Sequence, residues 1–169
     1  MKSKKLPEKY FAKYRTSPVK LRPWRKKQEQ IGRQYLKRLH RLLAGTKTKV
    51  MVIGSTAYRI MGKGEVELGV YPEESQWKKV IQILTKEFGK PENTMKDYAR
   101  FNDYLRNEEV EIILLKGDEA VRDIKLHKYL LKHQNSLKEY VALKRKYCFS
   151  KREYQKQKHA FLNQIIERL

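Results

Sequence analysis

The segment Val50–Tyr71 constrains the fold of this chain more than any other stretch of its sequence. Its first part, Val50–Ile53, is an apolar and largely β-branched run of a length typical of a buried strand. Gly54 and Ser55 interrupt this run at the point where a strand would leave a sheet. A second run of β type, Glu65–Tyr71, follows a short polar connection. The pattern predicts two strands with a Gly-Ser turn at the end of the first.

Two carboxylates, Glu65 and Glu67, stand two positions apart in the second run. Residues i and i+2 of a strand point to the same face, with their Cα atoms about 6.5–7 Å apart. Paired carboxylates beside a Gly-Ser turn can hold a phosphate and its metal ion. The same spacing also describes one solvated face of a strand. If the strand that contains Glu111 neighbours theirs, a third carboxylate joins the pair.

Helical and strand periods follow one another along the rest of the chain. Helices are predicted at residues 24–44 and 73–88, and a hairpin at residues 98–105 and 109–115. The last third, from residue 118, is helical. The order predicts an α/β (α+β) fold in which a small mixed sheet of about four strands is flanked by helices.

Two serines of the helical third match the capping-box pattern, in which a Ser and a Glu three residues later close a helix N-terminus. They are Ser136, followed by Glu139, and Ser150, followed by Glu153. The pattern predicts that one helix begins after each serine.

The chain length fits one domain. We interpret residues 24–169 as that domain, with an α/β core at 24–117 and a helical part at 118–169. Residues 1–23 are interpreted as a basic N-terminal arm, whose three prolines argue against one continuous helix. The arm interleaves basic and aromatic residues, which suits RNA contact and base stacking. An arm packed on the domain by its aromatic residues is the alternative.

The formal net charge of +21 is unevenly distributed. Residues 1–50 carry 17 basic and 2 acidic side chains, residues 51–115 carry 9 and 11, and residues 116–169 carry 14 and 6. The positive charge thus lies in the two flanks, on either side of a slightly acidic middle. Such a field attracts polyanions, including RNA, DNA, the ribosome, nucleotides and anionic membranes.

Cysteine use and hydropathy indicate where the protein works. The lone Cys148 excludes an intramolecular disulfide and a cysteine zinc cluster. Neither a membrane span nor a secretory signal is expected, because the longest apolar runs are short and no apolar segment follows the basic N-terminus. These features predict a reducing, cytoplasmic location.

From about Val19 onward, the order of motifs resembles the GrpB-type branch of the nucleotidyltransferase superfamily. Residues 53–57 match its I-G-S-T-A signature without a change, and Lys63 and Glu67 stand near its lysine and aspartate, given one deleted loop residue. The C-terminal part follows the family spacing Y-L…Y-x-x-L-K-R…Y-x-x-x-K-x-x-F. Its matching residues are Tyr129, Leu130, Tyr140, Leu143, Lys144, Arg145, Tyr154, Lys158 and Phe161.

The chain also departs from the family pattern. Arg59 and Ile60 replace a proline and a glycine, and residues 126–131 lack the two arginines and the aspartate of an F-R-D-Y-L-R block. Glu65 and Glu67 form an E-x-E where catalytic members of the superfamily carry D-x-D. Glutamate keeps the charge of aspartate but reaches one methylene further.

The resemblance implies an enzyme that transfers a nucleoside monophosphate from a nucleoside triphosphate to an unknown acceptor, with Mg²⁺ or Mn²⁺ as cofactor. The expected catalytic and metal-binding residues are Glu65 and Glu67, with Glu111 as a candidate third ligand from its place in the predicted hairpin. The expected nucleotide-binding residues are Gly54, Ser55 and Lys63, together with Arg59, which departs from the family pattern but follows the same signature. The alternative is a non-catalytic basic module of the same fold that binds RNA or the ribosome.

Overall fold

The structure is a computed structural model of the chain, and it describes residues 6–169. The chain forms two compact units. The sheet unit is Trp24–Val121, and the helical unit combines Arg122–Leu169 with the described part of residues 1–23. The division of residues 24–169 at 117/118 that the sequence suggests stays a prediction.

A five-stranded mixed sheet forms the sheet unit, with the spatial order β1-β2-β5-β4-β3. The pair β2 and β5 is parallel, whereas all other neighbours are antiparallel. The strands are β1 (Thr48–Ile53), β2 (Val66–Pro72), β3 (Asn93–Met95), β4 (Tyr98–Leu105) and β5 (Glu108–Leu115). The predicted mixed α/β fold is confirmed, with one strand more than the four expected. The additional strand, β3, is a short edge strand whose three residues are all exposed, so no apolar pattern marks it.

The predicted hairpin is the β4–β5 pair. Its two-residue turn, Arg106–Asn107, has φ angles of 53° and 64°, and Leu105 pairs with Glu108. Positive φ at both central residues is the signature of a type I′ turn, whose twist matches that of the flanking strands. The hairpin therefore forms although the turn has no glycine.

One face of the sheet carries the core. The helices α2 (Lys26–Leu42) and α4 (Trp77–Phe88) pack on this face, and a short 3₁₀ helix, Glu74–Gln76, precedes α4. Because strand residues alternate between faces, the apolar positions of the central strands enter this core while the residues between them face the other way. These core positions are Val66, Leu68, Val70, Val110, Ile112 and Leu114.

The N-terminus of α2 is fixed at the sheet edge where β5 begins. Arg25 Nη2 donates to both carboxylate oxygens of the buried Glu108, at 2.8 and 2.7 Å. Gln28, also buried, donates from Nε2 to the Gly64 carbonyl at 2.7 Å. The Gln28 contact holds the loop before β2 against the first turn of α2, and the Arg25 contact holds the start of β5 beside the same turn.

The helical unit consists of α1 (Glu8–Phe11), most of α5 (Gly117–Lys132), α6 (Gln134–Tyr147) and α7 (Lys151–Glu167). The described part of the N-terminal arm packs on this unit. The Val19 N–H donates to the Cys148 carbonyl at 2.7 Å, the Lys151 N–H donates to the Ser17 carbonyl at 2.9 Å, and Phe11 is buried. No helix within residues 6–169 is both long enough and apolar enough to cross a bilayer.

Candidate functional site

Three carboxylates converge where the central strand β2 begins beside β5. The parallel register of β2 and β5 places Glu67 beside Glu111, and Glu65 immediately precedes β2. One carboxylate oxygen from each residue lies within 4.8 Å of the other two. The residues Glu65, Glu67 and Glu111, which the sequence singled out as metal-binding, are thus brought together; their catalytic roles stay a prediction. We call them the carboxylate cluster.

Glu111 has a strongly altered pKa. Burial, followed by the negative charge of Glu67, raises the pKa of Glu111 from 4.5 to about 7. The charge of Glu65 adds to this rise, whereas Lys63 and Arg100 oppose it. The upward shift of the Glu111 pKa therefore reflects first its burial and second its proximity to the other two carboxylates.

Lys63 is a cation that contacts the cluster. Its ammonium forms an ion pair with the carboxylate of Glu65, whose side chain is only 7% exposed. The loop that carries both residues is held by Gln28, which bonds to Gly64, and by Thr56, whose hydroxyl donates to the Glu65 carbonyl at 3.5 Å. The positions of Lys63 and Glu65 therefore depend on the first turn of α2 and on the helix α3 (Gly54–Tyr58).

Gly54, the first residue of α3, lies against the Glu67 side chain of the carboxylate cluster. It has φ +67°, and a Cβ added there would lie 1.7 Å from Glu67 Oε2. Only glycine provides both the left-handed conformation and the space. The next residue, Ser55, is half-buried in the first turn of α3.

Arg59 ends α3 with φ 54°. Its guanidinium donates to Glu29 Oε1 at 3.2 Å and lies 5.6 Å from the centroid of the Trp24 ring. The described contacts of Arg59 are therefore with these two residues beside α2. Its assignment to nucleotide binding stays a prediction.

Sequence reasoning missed two polar residues beside the cluster, Arg100 and Asn102. Arg100 Nη1 lies 3.6 Å from Glu111 Oε1, and the same guanidinium pairs with Glu92. Asn102 is the register partner of Glu111 on β4, so the two side chains share a face. Its Nδ2 donates to Glu109 at 3.0 Å. The period-2 alternation of the predicted hairpin puts Arg100 and Asn102 on one face of their strand. The register of β4 against β5 is also needed to place that face beside Glu111, and the sequence does not give this register.

The residues present fit a divalent cation. Carboxylate oxygens are the ligands that Mg²⁺ and Mn²⁺ prefer. Ligand atoms on one octahedral Mg²⁺, at about 2.1 Å each, lie about 3–4 Å apart, so oxygens within 4.8 Å of one another need only a small contraction to share an ion. The charge of Glu67 contributes to the raised pKa of Glu111, as expected for two carboxylates that lie close together.

Comparisons with known proteins were made by sequence and by structure. The sequence matches no family model and no curated protein. Among solved structures, conserved protein GrpB from Enterococcus faecalis superposes with a TM-score of 0.70 and 20% identity, over 88% of this chain and 96% of that one.

More distant matches are polymerising enzymes. Cid1 in complex with its short product ApU gives a TM-score of 0.51 and 11% identity, over 80% of this chain and 42% of Cid1. Polymerase beta from Leishmania infantum gives 0.43 and 11%, over 80% and 55%. At 20% identity the superposition on GrpB establishes a shared fold and not an activity. This protein has the fold of conserved protein GrpB from Enterococcus faecalis.

Proposed function

We propose that the protein is a metal-dependent nucleotidyltransferase that moves a nucleoside monophosphate from a nucleoside triphosphate to an acceptor. The observation that carries this proposal is the convergence of Glu65, Glu67 and Glu111 within 4.8 Å at the sheet edge. The fold shared with GrpB is consistent with it.

The glutamates in place of aspartates are compatible with this role. Each glutamate reaches one methylene further than an aspartate, so an E-x-E needs extra room at the sheet edge. Gly54 supplies that room, because the side chain of Glu67 occupies the place where any other residue would have its Cβ. The longer side chains therefore still bring their oxygens together.

The reaction is an attack by an acceptor hydroxyl on the α-phosphorus, with pyrophosphate as the leaving group. Mg²⁺ ions in such a site stabilise the charge on the attacking and leaving oxygens. In our proposal Glu65, Glu67 and Glu111 would hold the metal, and Glu111 would also accept the proton of the acceptor hydroxyl. Lys63 offsets the charge of the phosphates, and Ser55 donates a hydrogen bond to them.

The test combines binding with transfer. The protein is incubated with labelled nucleoside triphosphates, Mg²⁺ and total RNA or protein, and calorimetry measures nucleotide binding with and without Mn²⁺. We expect transfer that falls by about a hundredfold or more in Glu67→Gln. The control is Glu74→Gln, which removes an exposed carboxylate from the 3₁₀ helix. Absence of metal-dependent nucleotide binding, or equal activity in both variants, overturns the proposal.

A second candidate function is binding of single-stranded RNA through the helical unit, and it can coexist with the first. Residues 6–23 and 122–169 of this unit carry 18 basic and 5 acidic side chains, or +13, whereas the sheet unit carries 19 and 14, or +5. Aromatic residues accompany the charge: the Lys13 ammonium lies 3.6 Å from the Tyr10 ring centroid, and Phe149 is 59% exposed. Basic and aromatic side chains together suit single strands.

A further inference from the structure

Lys63 and a metal ion would compete for the same oxygens. The Lys63 ammonium is paired with Glu65, one of the three residues of the carboxylate cluster. Its charge also acts on Glu111, where it opposes the upward pKa shift. One ammonium therefore interacts with two of the three groups that would ligate a divalent ion.

The burial of Glu65 makes this competition strong. Its carboxylate is only 7% exposed, so water replaces a lost partner poorly. A metal that binds alone must displace the ammonium from Glu65 and then tolerate its positive charge a few ångströms away. Charges at this distance interact much more strongly in a partly buried site than in water.

The Lys63 ammonium is able to move from one anionic partner to another. It is 36% exposed, and a lysine carries its charge on a flexible four-carbon stem. Arg100, a second cation beside the cluster, lies on β4 and is shared between Glu111 and Glu92. A triphosphate that arrives at the cluster offers Lys63 a new anionic partner, whereas a bare metal offers none.

We propose that Lys63 is an internal counter-ion that occupies Glu65 until a nucleoside triphosphate draws its ammonium away, so that metal and nucleotide bind together. This inference rests on the function proposed above. It assigns Lys63 two successive partners: the carboxylate of Glu65 in the metal-free protein, and the phosphates in the loaded one. Because coupling between two ligands is reciprocal, the metal raises nucleotide affinity by the same factor as the nucleotide raises metal affinity.

The test measures Mn²⁺ binding rather than activity. Electron paramagnetic resonance titrations determine the Mn²⁺ affinity with and without a mixture of the four α,β-methylene ribonucleoside triphosphates, which cannot undergo transfer. The variants are Lys63→Met, which removes the ammonium, and Lys63→Arg, which keeps the charge. Lys79→Met, on the exposed face of α4, is the control for net charge. Circular dichroism establishes that each variant folds.

We expect wild type, Lys63→Arg and Lys79→Met to bind Mn²⁺ weakly alone and tightly with nucleotide. Lys63→Met should bind Mn²⁺ alone about tenfold or more tightly than wild type, because the competing charge is gone. Its gain in affinity on adding nucleotide should shrink accordingly.

Two results overturn the proposal, and they differ in what else they reject. If Lys63→Met binds Mn²⁺ alone no better than wild type, while wild type binds it with nucleotide, only the counter-ion role is rejected. If neither protein binds Mn²⁺ even with nucleotide, the proposed transferase function is rejected as well.

Discussion

Gly54 is the single residue on which the position of the Glu67 carboxylate depends most directly. Gly54→Ala would place a Cβ 1.7 Å from Glu67 Oε2 and force an alanine into φ +67°. Gly45→Ala is a matched control, because Gly45 has φ +79° but nothing within 4 Å of an added Cβ. The left-handed conformation costs about 1–2 kcal/mol in both variants. Displacement of Glu67 should cost Gly54→Ala about 1–3 kcal/mol more.

Urea denaturation of the two glycine variants measures this difference, and calorimetry with Mn²⁺ and nucleotide measures its consequence. Gly45→Ala should bind as wild type does, whereas Gly54→Ala should lose metal binding. Equal losses of stability in the two variants would contradict the role assigned to the contact with Glu67.

Glu111 gives the metal-free protein a pH dependence whose sign is fixed. Its pKa is about 7 in the folded chain against 4.5 as the ordinary value, so between these pH values the folded state holds a proton that the unfolded state releases. Stability therefore falls as pH rises through this window. Above pH 7 the full cost, on the order of 3 kcal/mol, is present.

Glu111→Gln removes this cost. In EDTA, urea denaturation should find the variant more stable than wild type at pH 8, with most of the gain absent at pH 4.5. Added Mg²⁺ and nucleotide should stabilise wild type and not the variant. A gain of the same size at both pH values would mean that the carboxylate charge is not its cause.

At the residue scale, how far the site could be predicted depended on how local its contacts are. Glu65 and Glu67 were predictable because strand period alone puts them on one face. Glu111 required the assumption that its strand neighbours β2, and the parallel register supplies it. Arg100 was not predictable, because its place depends on the register of a second pair, β4 and β5.

At the scale of the elements, the capping-box pattern predicts the start of one helix correctly and the start of another wrongly. Ser150 is the N-cap of α7, and its hydroxyl accepts from the Glu153 N–H at 3.4 Å, as the capping box predicts. The prediction at Ser136 was wrong: α6 begins at Gln134, so this serine lies inside the first turn. The pattern there is overridden because α5 continues to Lys132 and leaves only one residue, His133, between the helices.

The two serines therefore form a matched pair for a stability measurement. Ser150→Ala should lower the free energy of unfolding by about 1 kcal/mol, the ordinary cost of losing an N-cap oxygen. Ser136→Ala should change it by less than about 0.5 kcal/mol, since Ser136 makes only a 3.4 Å contact with the Tyr129 hydroxyl. Urea denaturation distinguishes them, and equal effects would show that the Ser150 hydroxyl does not act as a cap.

The other elements show the same dependence on context. Strong apolar periods correctly predicted α2, α4 and the β4–β5 hairpin. The strand β3 was missed because its three exposed residues form a strand only through their pairing with β4. The Arg106–Asn107 turn carries a weak local signal, so its geometry follows from the strands that it joins.

The whole molecule separates its charges by unit. The carboxylate cluster lies in the sheet unit, whose net charge is +5, while the helical unit carries +13. A nucleotidyltransferase that acts on RNA would need both features, and a binding module would need only the second. RNA binding therefore tests the helical unit separately from the chemistry.

Charge reversal of Lys13, Arg15 and Lys146, which are all exposed in the helical unit, should weaken binding of a single-stranded RNA. It should also reduce the slope of log affinity against log salt by about 2, since each lost phosphate contact contributes about 0.7. Reversal of Lys78, Lys79 and Lys86 on the exposed face of α4 changes the net charge equally and is the control. Fluorescence anisotropy between 50 and 200 mM salt measures both quantities. If the two triple variants lose affinity equally, binding follows net charge and the helical unit has no RNA site of its own.

A variant of the carboxylate cluster distinguishes nucleotidyl transfer to RNA from RNA binding without catalysis. Glu65→Gln combined with Glu67→Gln should leave the affinity for RNA within about twofold of wild type, because both substitutions belong to the sheet unit and not to the helical unit. If this variant also loses transfer to RNA while wild type shows it, RNA is an acceptor and the carboxylate cluster is required for the transfer. If wild type binds RNA in a salt-dependent way and transfers nothing, the protein is a binding module. Glu65 and Glu67 are then not required for its function.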